Sequence, residues 1–265
     1  MDKTIARLIK GEALYGYHSV LQALEVAHRD IYTLYIKAES DRKQDGKARQ
    51  FTNKILQLAK IHEIAVRPLD KWTLNKISND RPHQGVILDA SPLEIPFCEP
   101  VKPREDQFPV LLALDEIQDP QNIGAILRTA HFLGCSGVVM GHKNCAPLSP
   151  AVSRASAGAL EILAAASMLS QAQCMHEFLA RSNALSWRTI GASCSKHATP
   201  ITGFSKRCPT ILVMGNEQRG LRKNITKCCD QLVRIAGKSE QEFTNVDSLN
   251  VSVASGILLH ELLKC

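Results

Sequence analysis

Three polar segments of this 265-residue chain carry residue types that can grip a ligand and assist a reaction. The first spans Asp115 to Ala130. It contains Asn122, an amide that both donates and accepts, and Arg128, a cation that stays charged at any physiological pH. Asn122 is placed to cap a helix, with Gly124 in its first turn, and open backbone amides at such a start attract an anion such as a phosphate. Arg128 follows almost two helical turns later, which sets its long side chain on a similar face. The second segment, Leu212 to Leu221, runs from an apolar stretch into Gly215, with Glu217 in the turn that Gly220 closes. A glycine at a strand end lets backbone approach a ligand closely. The third segment, Asp247 to Ile257, alternates Ser248, Asn250 and Ser252 with Leu249, Val251 and Val253. Hydroxyl and amide groups in that position either cap a helix or face a ligand edge.

Taken singly, each segment has a plainer meaning: a cap followed by a solvated arginine, a strand–turn–helix junction with an exposed acid, and an elaborate helix cap. Their combination matters more. All three put small or polar residues where a strand gives way to a helix in one α/β unit, and convergent junctions of that kind make a pocket.

The elements that must position these residues can be read from periodicity. Val110 to Leu114 is a short continuous apolar run, the pattern of a strand buried on both faces of a parallel sheet. A helix follows from Ile123 to Leu133, stopped by Gly134, and then a strand over Gly137 to Met140. Further strands are expected near Thr189 and Ile190, over Ile211 to Met214 and around Leu232 to Ile235, with a final helix from Leu249 to Leu263. This alternation predicts an α/β fold with a mostly parallel sheet. Upstream, Gly16 to Ala27 has helical spacing through Val20, Leu21 and Leu24, as does Ala48 to Ile61 through Phe51, Ile55, Leu56 and Leu58. Ile31 to Ile36 and Gly85 to Ala90 read as strands. Between the two halves, Ser91 to Arg104 contains four prolines and little periodicity, a linker signal. The expected organisation is a small α/β domain over residues 1–93, a linker over 94–107 and a second α/β domain over 108–265.

Composition narrows the class. Hydrophobic residues make up 45% and charged residues 22%, an ordinary globular balance, and the net charge of +6 permits a nucleic-acid partner without demanding one. The densest basic stretch, Asp41 to Arg49, is expected to be a solvated helix face and loop. Nine cysteines without a Cys-x-x-Cys pair argue against a disulfide framework and against a zinc ribbon, so no metal is expected and the thiols read as small apolar fillers. No stretch approaches the ~18–20 apolar residues that span a bilayer, so no membrane is expected. Reduced cysteines and mild basicity point to a mitochondrial matrix, with cytoplasm as the alternative.

In this order, the three segments resemble the motifs of the SpoU-type RNA 2′-O-methyltransferases, a branch of the trefoil-knotted methyltransferases. The likeness covers Val110 to the C-terminus. The first domain resembles the ribosomal-protein-like RNA-binding domain of the rRNA-modifying branch, through Glu12 to Leu24 and His83 to Ile87. The resemblance implies a knotted catalytic domain, which periodicity could not have suggested. It implies S-adenosylmethionine as cofactor, held by backbone around Gly215, with its neighbours Met214 and Asn216, and around Ile235 and Leu249. It implies an active site of Asn122, Arg128, Glu217, Ser248 and Asn250, and a homodimer acting on large-subunit rRNA, with a guanosine ribose as target. A tRNA ribose methyltransferase, an inactive RNA-binding assembly factor and a nucleotide-cofactor oxidoreductase stand as alternatives. The last lacks a Gly-x-Gly-x-x-Gly turn after the first strand of either domain. Gly237 to Val246 looks longer and more polar than its family counterpart and is expected to be a surface insertion.

Overall fold

A computed structural model describes residues 7–38, 46–104, 108–202, 204, 208–237 and 248–264. In chain order the elements are β1 (Glu12–Tyr15), α1 (Tyr17–Val26), β2 (Ile31–Lys37), α2 (Gly46–Ile61), β3 (Ala65–Leu69), α3 (Lys71–Ile77) and β4 (Val86–Ala90). Next come β5 (Val110–Leu114), α4 (Pro120–Leu133), β6 (Gly137–Gly141), α5 (Pro150–Ala155), α6 (Ala159–Ala165), β7 (Leu169–Ala172) and α7 (Met175–Ala184). The chain continues through β8 (Arg188–Ala192), β9 (Thr199–Pro200), β10 (Thr210–Met214), α8 (Lys223–Thr226), β11 (Gln231–Arg234) and α9 (Val251–Leu263). Residues 238–247, which include most of the polar stretch expected to be an insertion, lie outside the described residues, as does the 41–45 part of the basic stretch.

The chain divides into two units: residues 1–94 with 148–166, and residues 95–147 with 167–265. The first unit is built on a mixed sheet of order β1-β4-β2-β3, antiparallel except between β2 and β3. Val20, Leu21 and Leu24 of α1 and Ile55 and Ala59 of α2 pack on one face of it, against Leu34, Ile36, Val86 and Leu88. Leu74 and Ile77 of α3 join Tyr15, Tyr35 and Ile87 in a second cluster. α3 is started by Asp70, whose carboxylate accepts from the Thr73 N–H at 3.0 Å. The helix pair α5–α6 belongs to this unit, although its sequence lies between strands of the other. It is fastened by a buried ion network. Arg29 donates from Nε and Nη2 to the two carboxylate oxygens of Glu161 at 2.8 and 2.9 Å. Its Nη1 reaches the Ser91 carbonyl at 2.9 Å and Glu12 at 3.1 Å, and the Ser153 hydroxyl donates to Glu161 at 2.8 Å.

The second unit holds a seven-stranded sheet of order β7-β6-β5-β10-β8-β11-β9, parallel at every pairing. β5 and β10 are its central strands, almost wholly buried, as their continuous apolar runs require. From β5 the chain winds outward through β6 to β7. It then returns to build the other half on the far side of β5, so the strand order reverses between β5 and β10. The crevice outside the carboxyl ends of such a pair is where open α/β sheets take ligands.

Two expectations about the elements change. α4 begins at Pro120, with Asp119 as its cap accepting from Gln121 N–H at 2.9 Å, so Asn122 is not the cap but lies inside the first turn. Proline fits there because the first helical position has no use for its N–H. The proline-rich segment is not a loose linker either. Cys98 N–H donates to the Gln171 carbonyl and Gln171 N–H to the Pro96 carbonyl, both at 2.8 Å, which lays the segment along β7. The Trp187 indole N–H holds the Val101 carbonyl at 2.8 Å. Prolines lack the donor a central strand needs but suit an edge.

Candidate active site

The site lies at the carboxyl ends of β5 and β10. Both strands are followed by segments that bind each other. After β10 comes Gly215, where a Cβ would lie 2.6 Å from the Gly220 carbonyl carbon and oxygen and 2.7 Å from the Leu221 nitrogen. Only glycine lets the chain double back so closely. Asn216 and Gly220 then exchange two backbone hydrogen bonds at 3.1 and 2.9 Å, and Gly220 takes the left-handed φ of +67° that closes the turn. The Asn216 side chain locks this turn from within. Its Oδ1 accepts from Gln218 and Arg219 N–H at 3.0 and 3.1 Å, while its Nδ2 donates to the Glu116 carbonyl at 3.0 Å.

The turn presents Glu217 to the start of α4. Its carboxylate accepts from Gln118 N–H at 3.4 Å, Asp119 N–H at 3.3 Å and Asn122 Nδ2 at 3.2 Å. Asn122 is only 8% exposed and uses its other end as well: its Oδ1 accepts from Asn250 Nδ2 at 3.0 Å. Asn250 caps α9, with Oδ1 accepting from Ser252 N–H at 2.9 Å and from the Ser252 hydroxyl at 2.6 Å. The three segments singled out in the sequence therefore meet in one chain of hydrogen bonds, Asn250 to Asn122 to Glu217. Each amide is oriented by the next, because donating at one end obliges accepting at the other. The cap reading of Asn250 holds, and the same side chain reaches Asn122.

Ser248 is exposed and stands two residues before Asn250. Leu249, between them, is 50% exposed, unusual for an apolar side chain beside such a polar cluster. Met214 and Asn216 are buried, and Ile235 is half-buried just past β11.

Arg128 is not brought into this cluster. It is exposed, and no hydrogen bond or ion pair to it occurs among the described residues. The expectation that it shares a face with Asn122 fails on helical arithmetic. A separation of six residues turns about 600°, which leaves the two side chains roughly 120° apart. Arg128 instead shares a face with Phe132, one turn on, which is 85% exposed. Asn250 meets Asn122, and a Cβ on Gly256 would lie 3.5 Å from Thr129, so α9 runs alongside α4 in the same direction. α9 leaves Val253 and Ile257 exposed at 49% and 37%.

Sequence reasoning did not single out the acidic pair that braces the turn from behind. Asp115 and Glu116 are 2% and 6% exposed. Asp115 takes Arg222 Nε at 2.9 Å and Nη2 at 2.6 Å, a bidentate pair that raises the Arg222 pKa further. Glu116 accepts from Asn144 at 2.9 Å and lies 3.4 Å from Arg222. The signal was available: two acids directly after a fully apolar strand must find partners if they stay buried. Elsewhere in the described residues, all eight cysteines are free thiols. Burial pushes Cys135 up to about 11 and Cys229 up to about 12.

Comparison with known proteins shows the family of the chain. Residues 109–260 match the model of the SpoU rRNA Methylase family, and residues 13–96 match that of the RNA 2′-O ribose methyltransferase substrate binding domain. The chain is 36% identical over 232 residues to rRNA methyltransferase 1, mitochondrial, of Dictyostelium discoideum, a match that covers 76% of this chain and 42% of that protein. It is 31% identical over 258 residues to the 23S rRNA (guanosine-2′-O-)-methyltransferase RlmB of Acinetobacter baylyi, covering 96% of this chain and 97% of the relative. Among solved structures, the SpoU methyltransferase AviRb from Streptomyces viridochromogenes, in complex with AdoMet, superposes with a TM-score of 0.73 at 22% identity, over 100% of this chain and 93% of the other. A strand-order reversal whose two strand ends are tied by Glu217, Asn122 and Asn250 is thus found in a chain that belongs to the SpoU rRNA methylase family.

Proposed function

We propose that this protein transfers a methyl group from S-adenosylmethionine to a ribose 2′-hydroxyl of a guanosine in large-subunit rRNA. The observation that carries the proposal is the Asn250–Asn122–Glu217 network, set at the strand-order reversal of a SpoU-family domain. The names of the relatives supply the substrate class, and the matched substrate-binding domain favours rRNA over tRNA.

The residues fit the cofactor. Gly215 carries no side chain, Ile235 and Leu249 carry apolar ones, and main chain is what reads an adenine edge in such a setting. Bound there, S-adenosylmethionine supplies an electrophilic methyl on a sulfonium. The chain must bring a ribose oxygen in line with that methyl, and such alignment can contribute several kcal/mol. Asn122 and Asn250 each keep one amide N–H beyond those the network uses, which suits them to hold ribose oxygens. Ser248 adds a hydroxyl two residues away. Glu217 fixes the amides rather than acting freely, since four donors already point at its carboxylate. A guanidinium does not give up its proton near neutral pH, so the role that suits Arg128 is to bind an RNA phosphate and steady the developing alkoxide.

Arg128 and Phe132 share one face of α4, and Val253 and Ile257 of the adjacent α9 add apolar surface. An apolar face of this kind fits a second copy of the chain. We therefore take the enzyme to be a homodimer in which Arg128 completes a site across the interface, and light scattering on the purified protein tests it. The family fold also implies a trefoil knot around the cofactor, and the mitochondrial relatives favour a matrix enzyme. The direct test of function is methylation of large-subunit rRNA with labelled S-adenosylmethionine, followed by mapping of the modified nucleotide. Label on one guanosine ribose is expected; label on tRNA alone, or none, overturns the proposal.

A further inference from the structure

The turn that carries Gly215 and Glu217 is fastened at both ends by one residue, Asp115. At the entry, the Asp115 N–H donates to the Met214 carbonyl at 2.9 Å, just past the last paired residues of β5 and β10. At the exit, the Asp115 carboxylate takes Arg222 Nε at 2.9 Å and Nη2 at 2.6 Å. Entry and exit are thus drawn to one point beyond the end of β5. The exit is held from the other side too. Leu221 is half-buried, and a Cβ on Gly191 of β8 would lie 2.6 Å from its Cδ1. β5 and β8 flank β10, so the turn is braced between the two neighbours of its own strand.

Glu116 adds to the hold in an unusual conformation. Its φ of +59° is left-handed, a region that a residue bearing a Cβ enters where its surroundings demand it. Its carbonyl accepts from Asn216 Nδ2 at 3.0 Å, and its Oε1 accepts from Asn144 Nδ2 at 2.9 Å and lies 3.4 Å from Arg222 Nη1. Asn144 is itself left-handed, at +63°. Beyond the bend at Glu116, the Gln118 and Asp119 N–H groups face Glu217. The strained segment therefore touches the turn from behind and leads directly into the site.

The hydrogen bonds inside the turn, between Asn216 and Gly220, set its shape. They do not set its tilt against the strands, and tilt decides where Gly215 and Glu217 point. The Arg222 fork is suited to that task, since two parallel hydrogen bonds allow little rotation. The pair also differs from Arg29 and Glu161, which are both enclosed. Asp115 is buried, whereas the Arg222 side chain is 40% exposed on the turn.

We propose that Asp115 and Arg222 are positioning residues for methyl transfer: their bidentate pair sets the tilt of the Gly215–Leu221 turn. With the tilt are set the main chain at Gly215 that receives S-adenosylmethionine and the Glu217 carboxylate that orients Asn122. Neither side chain of the pair touches the reacting atoms. This rests on the proposed reaction and adds what holds its cofactor turn in register.

Three measurements on the full-length protein, made side by side, test it: calorimetry with S-adenosylmethionine, single-turnover methyl transfer to a large-subunit rRNA transcript, and denaturant unfolding. Asp115→Asn/Arg222→Leu removes the pair without stranding a buried charge. It is expected to bind the cofactor about tenfold more weakly and to transfer methyl about tenfold more slowly even at saturating cofactor. Arg222→Lys keeps the charge but not the fork, and its cofactor affinity is expected to fall between those of the parent and the double variant. Arg219→Leu removes another cation of the same turn, 72% exposed and 3.7 Å from Glu116. Its cofactor affinity is expected to stay within about twofold of the parent. Parental affinity and single-turnover rate in the double variant, whatever its unfolding midpoint, overturn the inference, because the pair then only holds the fold. Equal loss of affinity in Arg219→Leu overturns it as well, by tracing the effect to charge rather than to the fork. Should the double variant fail to fold, Arg222→Lys with parental affinity overturns it. In each of these cases a parent that methylates the rRNA leaves the proposed function standing. A parent that binds S-adenosylmethionine but methylates no rRNA defeats the proposed function alone, and the affinity series still reads the pair.

Discussion

Two polar constellations in this molecule tie distant stretches of chain together, and they are built differently. Around Arg29 and Glu161 the groups are enclosed, at 5% and 0% exposure, and the contacts are short, from 2.8 to 3.1 Å. The polar atoms there are directed at one another. Between Asn122, Glu217 and Asn250 the bonds are 3.2 and 3.0 Å, Glu217 and Asn250 are exposed, and amide hydrogens remain available. The first arrangement suits the holding of a fold. The second leaves donors at the carboxyl ends of two strands, where a substrate can use them. An ion pair sealed from water resists perturbation until one partner is removed, whereas an open network yields function at small cost in stability.

The contrast can be broken most severely at Glu161. Glu161→Ala strands the Arg29 guanidinium in the interior and is expected to cost about 3–5 kcal/mol, read as a lowered denaturant midpoint. A shift below 1 kcal/mol would mean the network is not what holds α5–α6 in the first unit. Arg128→Ala should do the reverse. Unfolding stays within about 0.5 kcal/mol of the parent, as for an exposed side chain, while single-turnover methyl transfer falls about a hundredfold with S-adenosylmethionine affinity kept. Lost cofactor affinity with normal single-turnover chemistry would sink that assignment, and near-normal activity in Arg128→Lys would count against bidentate phosphate binding. Glu217→Gln keeps the size of the side chain but removes its charge as an acceptor for four donors. Turnover about tenfold lower, with a stability loss of about 1–2 kcal/mol, is expected in calorimetry and kinetics run side by side. The smallest effect belongs to His83. Its folded pKa lies below the ordinary value near 6.5, so the unfolded chain binds the proton more readily. The stability this histidine contributes is complete above about 6.5 and is lost as pH falls toward the folded value. His83→Asn should flatten that part of a stability–pH curve, and an unchanged curve would show that the ring is not effectively buried.

Much of the site could be read from sequence because its residues follow apolar strands. β5 and β10 announce themselves as continuous apolar runs, and the polar residues after them must lie at strand ends. What periodicity could not supply was direction. Asn122 looked like a cap because Asn favours that position, yet Asp119 with Pro120 makes the stronger start and moves the helix boundary back by three residues. The facing of Arg128 was a separate matter, since six residues along a helix leave two side chains roughly 120° apart wherever the helix begins. The stretch from α5 to α7 gave no sign of its structure, since two short helices and an edge strand have too few residues to establish a period. β3 was missed because all but its last residue is exposed and it has no apolar alternation. Asp115, Glu116 and Arg222 are distant in sequence, and only the folded chain brings such charges together.

The ion network has a consequence for the order in which the protein can form. Glu161 is coded after β5, α4 and β6 of the other unit, and Arg29 waits in the interior of the first unit for it. On the ribosome, the N-terminal unit cannot settle when residue 94 has emerged. It needs a further stretch of chain, up to residue 166, most of which is destined for the other unit. The two units are consequently unsuited to being exchanged as cassettes. A fusion cut after residue 94 would part the unit from the helix that neutralises its buried arginine.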